Sequence, residues 1–558
     1  MMKNILFFCF IVLLTNSTIS QTTKFSDIDA YPQEKIYLHT NTNFFLTGET
    51  VLYKIYCRDI ASNTMSSLSK VGYVELINQE NNSISKQKIR LKNGLGNGAI
   101  FLSSSLKTGT YKIISYTQWM RNKQIFFEEN IFIINPFSAK LTASDTLKKN
   151  NFKKEFVKTT TYLKLASNKK VYQKRELVTL TFDGHISKTM SLSVRKQDSI
   201  LIPTKINAVA FEQNFKPSRI RSKKEYLPEL RGSLYQGSIT SKTNKSVLNK
   251  KIGLSFIGEN KITKISITDA TGIFFFNIDA AYDASNVRIQ VLEKDKKNYT
   301  ISLIDTHKLE KKFDNFDELL LTENIRKLIK KRSFYTQIEN AYIEVKQPTY
   351  PFIKNNKAIF HHNKNKVVYI LDEYTRFKTV KEVTVEILKD VWISKEKEEY
   401  CFNIRDVNLE SNTTLKTLLI VDGFLVDNHN DFVFFDALKI KSIALIKEKY
   451  YFGAKNYHGI INIITFKNDY KPNVNSKNQF LLLKPIEEKI TFSPDYRENI
   501  NKQIPDFRTQ LFWGSNFNLT AEKTSFYTSD QTGTFEAIIE GFTKEGIAIY
   551  EKITFSVQ

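Results

Sequence analysis

Short runs in which apolar and polar residues alternate recur from residue 31 to the end of the chain, punctuated by Gly, Asn and Asp. A period of two places one set of side chains on one face of a β-strand. "VLYKIYCRD" (51–59) sets Val51, Tyr53, Ile55 and Cys57 on such a face, behind a turn at Gly48. "LKNGLGNGAIFL" (91–102) carries Asn93-Gly94 and Asn97-Gly98 between apolar runs, the composition of tight hairpin turns. With "LKTGTYKIISYTQWMRN" (106–122) these runs predict a β-sandwich over 28–138. A second copy opens near residue 160. There "NKKVYQKRELV" (168–178) aligns with "NTNFFLTGETV" (41–51), and Val178, Leu180 and Phe182 supply the buried face of a domain over 158–226. "LPELRGSLYQGSI" (227–239), "LNKKIGLSFIG" (248–258) and "ITDATGIFFFNI" (267–278) predict a third sandwich over 231–306, with Asp269 to Gly272 as a turn.

The period then changes. In "LLLTENIRKLIKKRSFYTQIENAYIE" (319–344), Leu321, Ile325, Leu328, Tyr335, Ile338 and Tyr342 fall mostly at three- and four-residue steps. This predicts an amphipathic helical segment within 314–346. Pro348 and Pro351 mark a linker over 347–366. Thr379 and Glu382 have capping-box spacing, and Val380, Val383, Ile387, Leu388 and Val391 behind them predict one helical face. "LLIVDGFLVD" (418–427), "IKSIALIKE" (440–448) and "GIINIITF" (459–466) read as strands, so 368–470 is expected to be a small α+β unit turning at Asp422-Gly423. "PDFRTQLFW" (505–513) and the alternating runs to residue 558 predict a last β domain over 480–558.

Composition bears on compartment and partners. Lys3, the apolar run "ILFFCFIVLL" (5–14) and the small residues Ser17, Thr18 and Ser20 have the layout of a signal peptide over 1–20. That run is too short for a permanent anchor, and Cys9 lies inside the leader rather than at a lipoprotein cleavage point. The chain is therefore expected to be exported, to the periplasm or in association with the outer membrane. Cys57 and Cys401 remain after processing, both in strand-like runs; Cys57 is expected in a core, and a bridge between the two stays open. The net charge of +24 is spread along the chain as Lys, which argues against a nucleic-acid patch and leaves attraction to an anionic membrane surface as the alternative to plain solvation.

The residue patterns of catalysis are not found. The seven histidines include no His-Glu-x-x-His pair, and the adjacent His361 and His362 would point to opposite faces of a strand. His458 reads as a turn histidine. Asp422 reads as a turn aspartate bonding its own backbone, with partner contact as its functional alternative. "GLGNG" (94–98) lacks the Lys-Ser/Thr of a phosphate loop. There is neither a Gly-x-Ser-x-Gly elbow nor a Cys/His signature. The basic runs 330–332 and 223–226 read as solvated, and Tyr450-Tyr451 as packing. No catalytic, cofactor or metal residue is assigned, and the partner-binding residues are unknown.

Three stretches resemble known families. Through "EKIYLHTNTNFFLTGETVLYKIY", "LSSSLKTGTYKIISYTQWMRN" and "FIINPF", residues 31–137 resemble the macroglobulin-type β domains of secreted Bacteroidetes proteins. Through "GSI" (237–239) and "ITDATGIFFFNI", residues 231–305 look like a carboxypeptidase regulatory-like domain. Through "LIVDGF", "IKSIALIKE" and "FGAKNYHGIINIITF", residues 370–468 look like the plug of TonB-dependent receptors. The fold class implied is mainly β: tandem macroglobulin/Ig-like β-sandwich domains with a small α+β plug-like domain. A receptor barrel of about 22 strands at about ten residues each needs roughly 220 residues, and only 467–558 follow the plug-like stretch, so no transmembrane barrel is expected. No TonB-contacting segment precedes residue 370, and neither Cys57 nor Cys401 sits in the thioester turn of macroglobulin inhibitors. The expectation is an exported, non-enzymatic binding or scaffold protein of the bacterial envelope. It needs no cofactor, has an envelope protein as partner and binds no nucleic acid. The alternative is a plug-bearing accessory of a TonB-dependent uptake system with the barrel on another chain; an exported hydrolase stands third.

Overall fold

A computed structural model describes residues 28–138, 163–184, 190–197, 205–256, 262–279, 286–293, 295–304, 308–317, 323–346, 366–396, 398–405, 415–453, 455–470, 479–483, 485, 493–498, 502–515 and 523–558. The expected signal peptide over 1–20, the expected linker over 347–366 except for its last residue, and the histidines at 185, 307, 361 and 362 lie outside them.

The first sandwich has eight strands. Glu34–Thr40, Thr50–Asp59 and Leu95–Phe101 form one sheet in the order first, third, sixth. Phe44–Leu46, Phe127–Ile134, Gly109–Tyr116, Val71–Ile77 and Ser83–Arg90 form the other. Tyr53, Ile55 and Cys57 lie in the core between them, as period two requires, and both Cys57 and Cys401 are free thiols. The Asn93-Gly94 turn exists, with φ of 52° and 75°, the left-handed pair that such a hairpin needs. Asn97-Gly98 is not a turn. It lies in the strand Leu95–Phe101, where a Cβ on residue 98 would come within 2.3 Å of the Tyr53 hydroxyl; glycine is there to admit that ring.

The second sandwich repeats this pattern strand for strand, but from two distant parts of the chain. Leu163–Ser167, Leu177–Gly184 and Lys523–Tyr527 make one sheet. Val171–Tyr172, Ala548–Val557, Gly533–Phe542, Ser191–Lys196 and Gln510–Gly514 make the other. The short second strand pairs in parallel with the last strand in both copies: Phe44 opposite Phe132, and Val171 opposite Ser556. The segments 158–226 and 480–558, separate domains in the sequence reading, thus form one domain around Val178, Leu180, Leu192, Phe535 and Phe555. Everything between them is an insertion at one hairpin. In the first copy that hairpin closes over Asn78–Asn82, with Asn81 at φ 62°. In the second the chain leaves at Gln197 and returns at Thr509, whose carbonyl accepts from the Lys196 amide at 2.8 Å.

The insertion carries three bodies. A third sandwich pairs Ile273–Ile278, Ser233–Ser241 and Tyr299–Leu303 against Thr263–Ile267, Lys251–Phe256, Asn286–Val291 and Gln479–Leu481. The last of these strands comes from the segment expected to open the C-terminal domain. A helix, Glu323–Ala341, follows. Its inward residues are Ile325 and Ile329, which meet Phe44, Leu46, Phe132 and Ile134 of the first sandwich. Leu328 and Tyr342, expected on the apolar face, are exposed instead.

The third body is the α+β unit. Its sheet runs Lys366–Ile370, Ile440–Phe452, Lys455–Thr465, Leu418–Val421, Phe424–Leu425. Thr379 and Glu382 form the capping box, but the helix they open is short, Val380–Glu386. Val391 begins a strand instead, after Asp390 turns the chain at φ 67°. One face of the sheet is covered by that helix and by Asn430–Val433, around Val383, Leu419, Phe432 and Ile443. The other face, through Leu418, Ile420, Leu425, Ile446 and Ile460, packs on Ile265 and Leu292 of the third sandwich. Gly453 turns the long hairpin at φ 57°, where a Cβ would stand 2.4 Å from the Ile265 carbonyl oxygen. Gly453→Val is therefore expected to open this seam, giving fast hydrogen exchange in Thr263–Ile267 and Ile440–Phe452 together; protection equal to that of the parent chain would count against the packing.

Candidate functional site

The sandwich cores are apolar, but the junction between the first two is not. His39 lies on the first strand of the chain, Ser191 on the fourth strand of the second copy and Glu540 on its seventh. His39 Nδ1 is 2.5 Å from Ser191 Oγ, and His39 Nε2 is 2.9 Å from Glu540 Oε1. Serine, imidazole and carboxylate in sequence is the composition of a hydrolytic triad. Burial lowers the imidazole to about 4, so at neutral pH it is uncharged. Nε2–H then donates to Glu540, and Nδ1 accepts the serine proton.

Access decides what this constellation can do. Ser191 and Glu540 are 0% exposed and His39 is 1% exposed. Ser191 Oγ also meets the Tyr56 hydroxyl at 2.9 Å and the Glu540 carbonyl oxygen at 3.2 Å. The Glu540 carboxylate accepts from Lys205 Nζ at 2.9 Å, from the Tyr37 hydroxyl at 2.7 Å and from the Ala208 amide at 3.2 Å. Burial would raise this carboxyl, but the hydrogen bond from His39 and the Lys205 ammonium with its own hydrogen bond outweigh it and hold it ionised. With four donors on one carboxylate and no route for an acyl group, the arrangement is a rivet. It joins the first sandwich, the second sandwich and the strap that carries Lys205 and the helix Ala208–Asn214.

A second buried acid titrates near neutrality. Glu129 accepts from the Ile206 amide at 3.0 Å and from Thr40 Oγ1 at 3.2 Å. Burial pushes its carboxyl up to about 7; Lys205 and the two hydrogen bonds lower it in part, and Glu540 adds to the rise. A carboxyl raised from 4.5 in this way contributes stability that is complete below about pH 4.5 and disappears as pH climbs through 7. Glu129→Gln is expected to be more stable than the parent at pH 8 by about 3 kcal/mol, at 1.36 kcal/mol per unit, with no gain at pH 4. An unchanged pH slope in denaturant titrations would refute this.

Two clefts open beside the rivet. One, of about 380 Å³, runs along the strap between Phe126, Phe211 and Phe215, with Lys216, Lys311 and Glu128 at its rim. Lys311 is already paired with Glu128 at 2.6 Å. The other, of about 240 Å³, lies where the helix Glu323–Ala341 meets both sandwiches, with Arg332, Glu49, Glu339 and Phe507 among its walls. Arg332 clasps Glu49 with two bonds of 2.7 Å, and Glu339 accepts from Lys346 at 2.7 Å. Burial raises the Glu339 carboxyl, with Lys346 opposing.

The residues weighed in the sequence fall apart in space. Asp422 sits in a left-handed turn at φ 48°, but its carboxylate accepts from Thr465 (amide 2.9 Å, hydroxyl 2.5 Å) and from the Tyr470 amide at 3.1 Å, so it ties strand ends rather than its own loop. His458 is a buried strand residue opposite Lys449, not a turn histidine. Of the basic run 330–332, Arg332 faces inward and only Lys330 and Lys331 are exposed. Tyr451 is 68% exposed, whereas Tyr450 packs on the seam. No group of three or more His, Cys, Asp or Glu among the described residues could hold a metal ion. In sequence the signal for Glu540 is an acid inside the apolar run "FEAIIEGF" (535–542).

No family model matches the chain, and no curated protein does. Among solved structures it is similar to Salmonella alpha-2-macroglobulin reacted with methylamine, at 7% identity over 94% of this chain and 23% of that one, with a TM-score of 0.16. It is also similar to Escherichia coli alpha-2-macroglobulin activated by porcine elastase, at 10% identity over 94% and 44%, with a TM-score of 0.23. An adhesin of Yersinia pseudotuberculosis follows at 9% identity over 48% and 58%, with a TM-score of 0.13. The chain spans less than half the length of the macroglobulins it matches. These scores are too low to add weight, and the mainly β, tandem-sandwich class stands on the strand order itself.

Proposed function

We propose that this chain is an exported, non-enzymatic binding or scaffold protein of the bacterial envelope. The observation that carries the reading is the sealing of Ser191, His39 and Glu540. Among the described residues, this grouping with the composition of a hydrolase is committed to holding three parts of the chain in fixed relation. Rigid bodies joined by buried polar seams are suited to presenting edges and loops to partners. The free edge strand Lys366–Ile370, with Val367, Val368 and Ile370 exposed, is one such surface.

Within this reading the α+β unit is a docking module of the plug type and the third sandwich a regulatory-like spacer. Both faces of the α+β sheet are occupied, one by its own helices and one by the third sandwich. A barrel supplied by another chain would have to enclose the sandwich as well, which favours edge-on docking over plugging. No helix among the described residues is long and apolar enough to cross a membrane. Purified protein lacking the leader is expected to stay in solution without detergent, to pass no stepwise current in planar bilayers and to leave Ser191 unlabelled by a fluorophosphonate. Channel-like current, or label on Ser191, would overturn the proposal.

A further inference from the structure

Among the described residues, the outer face of the helix Glu323–Ala341 is uncovered. Ile325, Ile329, Arg332, Thr336 and Asn340 turn inward: the isoleucines enter the apolar cluster, Arg332 and Thr336 bond Glu49, and Asn340 donates to the Gly48 carbonyl at 3.0 Å. At 100° per residue, Lys327, Lys330, Lys331 and Phe334 fall on the opposite arc, and all four are exposed. Phe334 is 59% exposed, and past the helix end Tyr342 and Val345 are 38% and 57% exposed. None of the three lysines has an ion pair among the described residues; Lys331 has only a distant contact with the Tyr335 ring, at 5.9 Å. Of the acids near its C-terminal end, Glu339 is held by Lys346 at 2.7 Å and Glu344 is exposed.

The outer helix face is a ridge of exposed lysines around an exposed aromatic ring. It is well shaped to lie on a plane: lysine stems extend along the apolar surface while their ammonium groups reach phosphates, and the ring enters the headgroup boundary. Charge complementarity names the plane, since unpaired cations on a chain of net charge +24 favour an anionic one. We infer that this ridge is a docking surface for an anionic lipid bilayer, gripped by Lys327, Lys330, Lys331 and Phe334. The inference extends the envelope reading by assigning the surface that meets lipid, and it needs no protein partner.

Vesicle co-sedimentation of the whole chain without its leader tests it. Binding is expected to vesicles of phosphatidylcholine with about one-third phosphatidylglycerol, to weaken steeply with salt, and to be slight on pure phosphatidylcholine. Replacing the three lysines (K327E, K330E, K331E together) should lower the partition coefficient at least about a hundredfold, from roughly fivefold per positive charge lost near an anionic surface, with the added acids lowering it further. Phe334→Ser alone should weaken binding at constant salt dependence. A control triple on the second sandwich (K164E, K170E, K174E), also exposed, should change binding far less. An equal loss in that control would overturn the inference in favour of diffuse charge. So would undiminished binding by the ridge variants, or tighter binding to poly-glutamate than to vesicles. Channel current or Ser191 labelling would undermine the scaffold proposal while leaving this result standing, so the two fail separately.

Discussion

A chain stopped at residue 504 is expected to lose the second sandwich entirely while retaining the first. Such a truncation removes Gln510–Gly514, Lys523–Tyr527, Gly533–Phe542 and Ala548–Val557, half of the domain's eight strands. Ser191–Lys196 lies between two of them and would be left with both ladders open, from Leu192 opposite Gly514 on one side to Ser191 opposite Glu540 on the other. Exposed backbone groups and an uncovered core cannot hold four orphan strands in place. Limited proteolysis read by mass spectrometry should cut within 163–196 at rates typical of unfolded chain, while 34–134 stays protected. Continued protection of 163–196 would mean that the N-terminal half-domain stands alone, against the topology described here.

Removing the acid at the rivet should have the next largest effect. Glu540→Leu leaves Lys205 without its carboxylate, strips the His39 Nε2–H of its acceptor in a region of 0–1% exposure, and leaves the Tyr37 hydroxyl only the Ile206 carbonyl at 3.2 Å. Breaking a buried charge cluster on one side costs about 3–5 kcal/mol. The loss should be read as the hydrogen-exchange opening free energy of Gly533–Phe542, because a chain of several bodies does not unfold as one unit. Adding Lys205→Met should recover part of it, since the uncompensated cation is then gone. A loss under about 1 kcal/mol, or none recovered by the double variant, would show that the cluster is not what joins the two sandwiches.

Most local structure was legible before any coordinates. Period two placed Val51 to Cys57 and Val178 to Phe182 on buried faces, and both are buried. Asn93-Gly94, Asp269 to Gly272 and Asp422-Gly423 all turn the chain, and the Thr379–Glu382 box caps a helix. Even the alignment of 168–178 with 41–51 anticipated that both copies share a short strand followed by a long one. The helix at 323–341 lies within the expected segment with Ile325 inward, but Leu328 and Tyr342 are exposed. Its inward face is half polar, with Arg332, Thr336 and Asn340 bonded to Glu49 and Gly48, so a purely apolar template selected other residues.

What the amino-acid sequence determined alone is therefore whatever depends on a few neighbouring residues: strand periodicity, turn chemistry, capping and the mainly β class. The tertiary structure decided the rest. It closed the second sandwich with strands more than 300 positions away, as the pairing of Ser191 with Glu540 shows. It set Tyr37 against an acid 503 residues distant, buried the Ser191–His39–Glu540 grouping, and left one face of a helix open. Periodicity repeats within a turn or a pleat and so carries no record of such partners. They are selected when apolar surface and charged groups must leave water together, and that condition applies only to the folded whole.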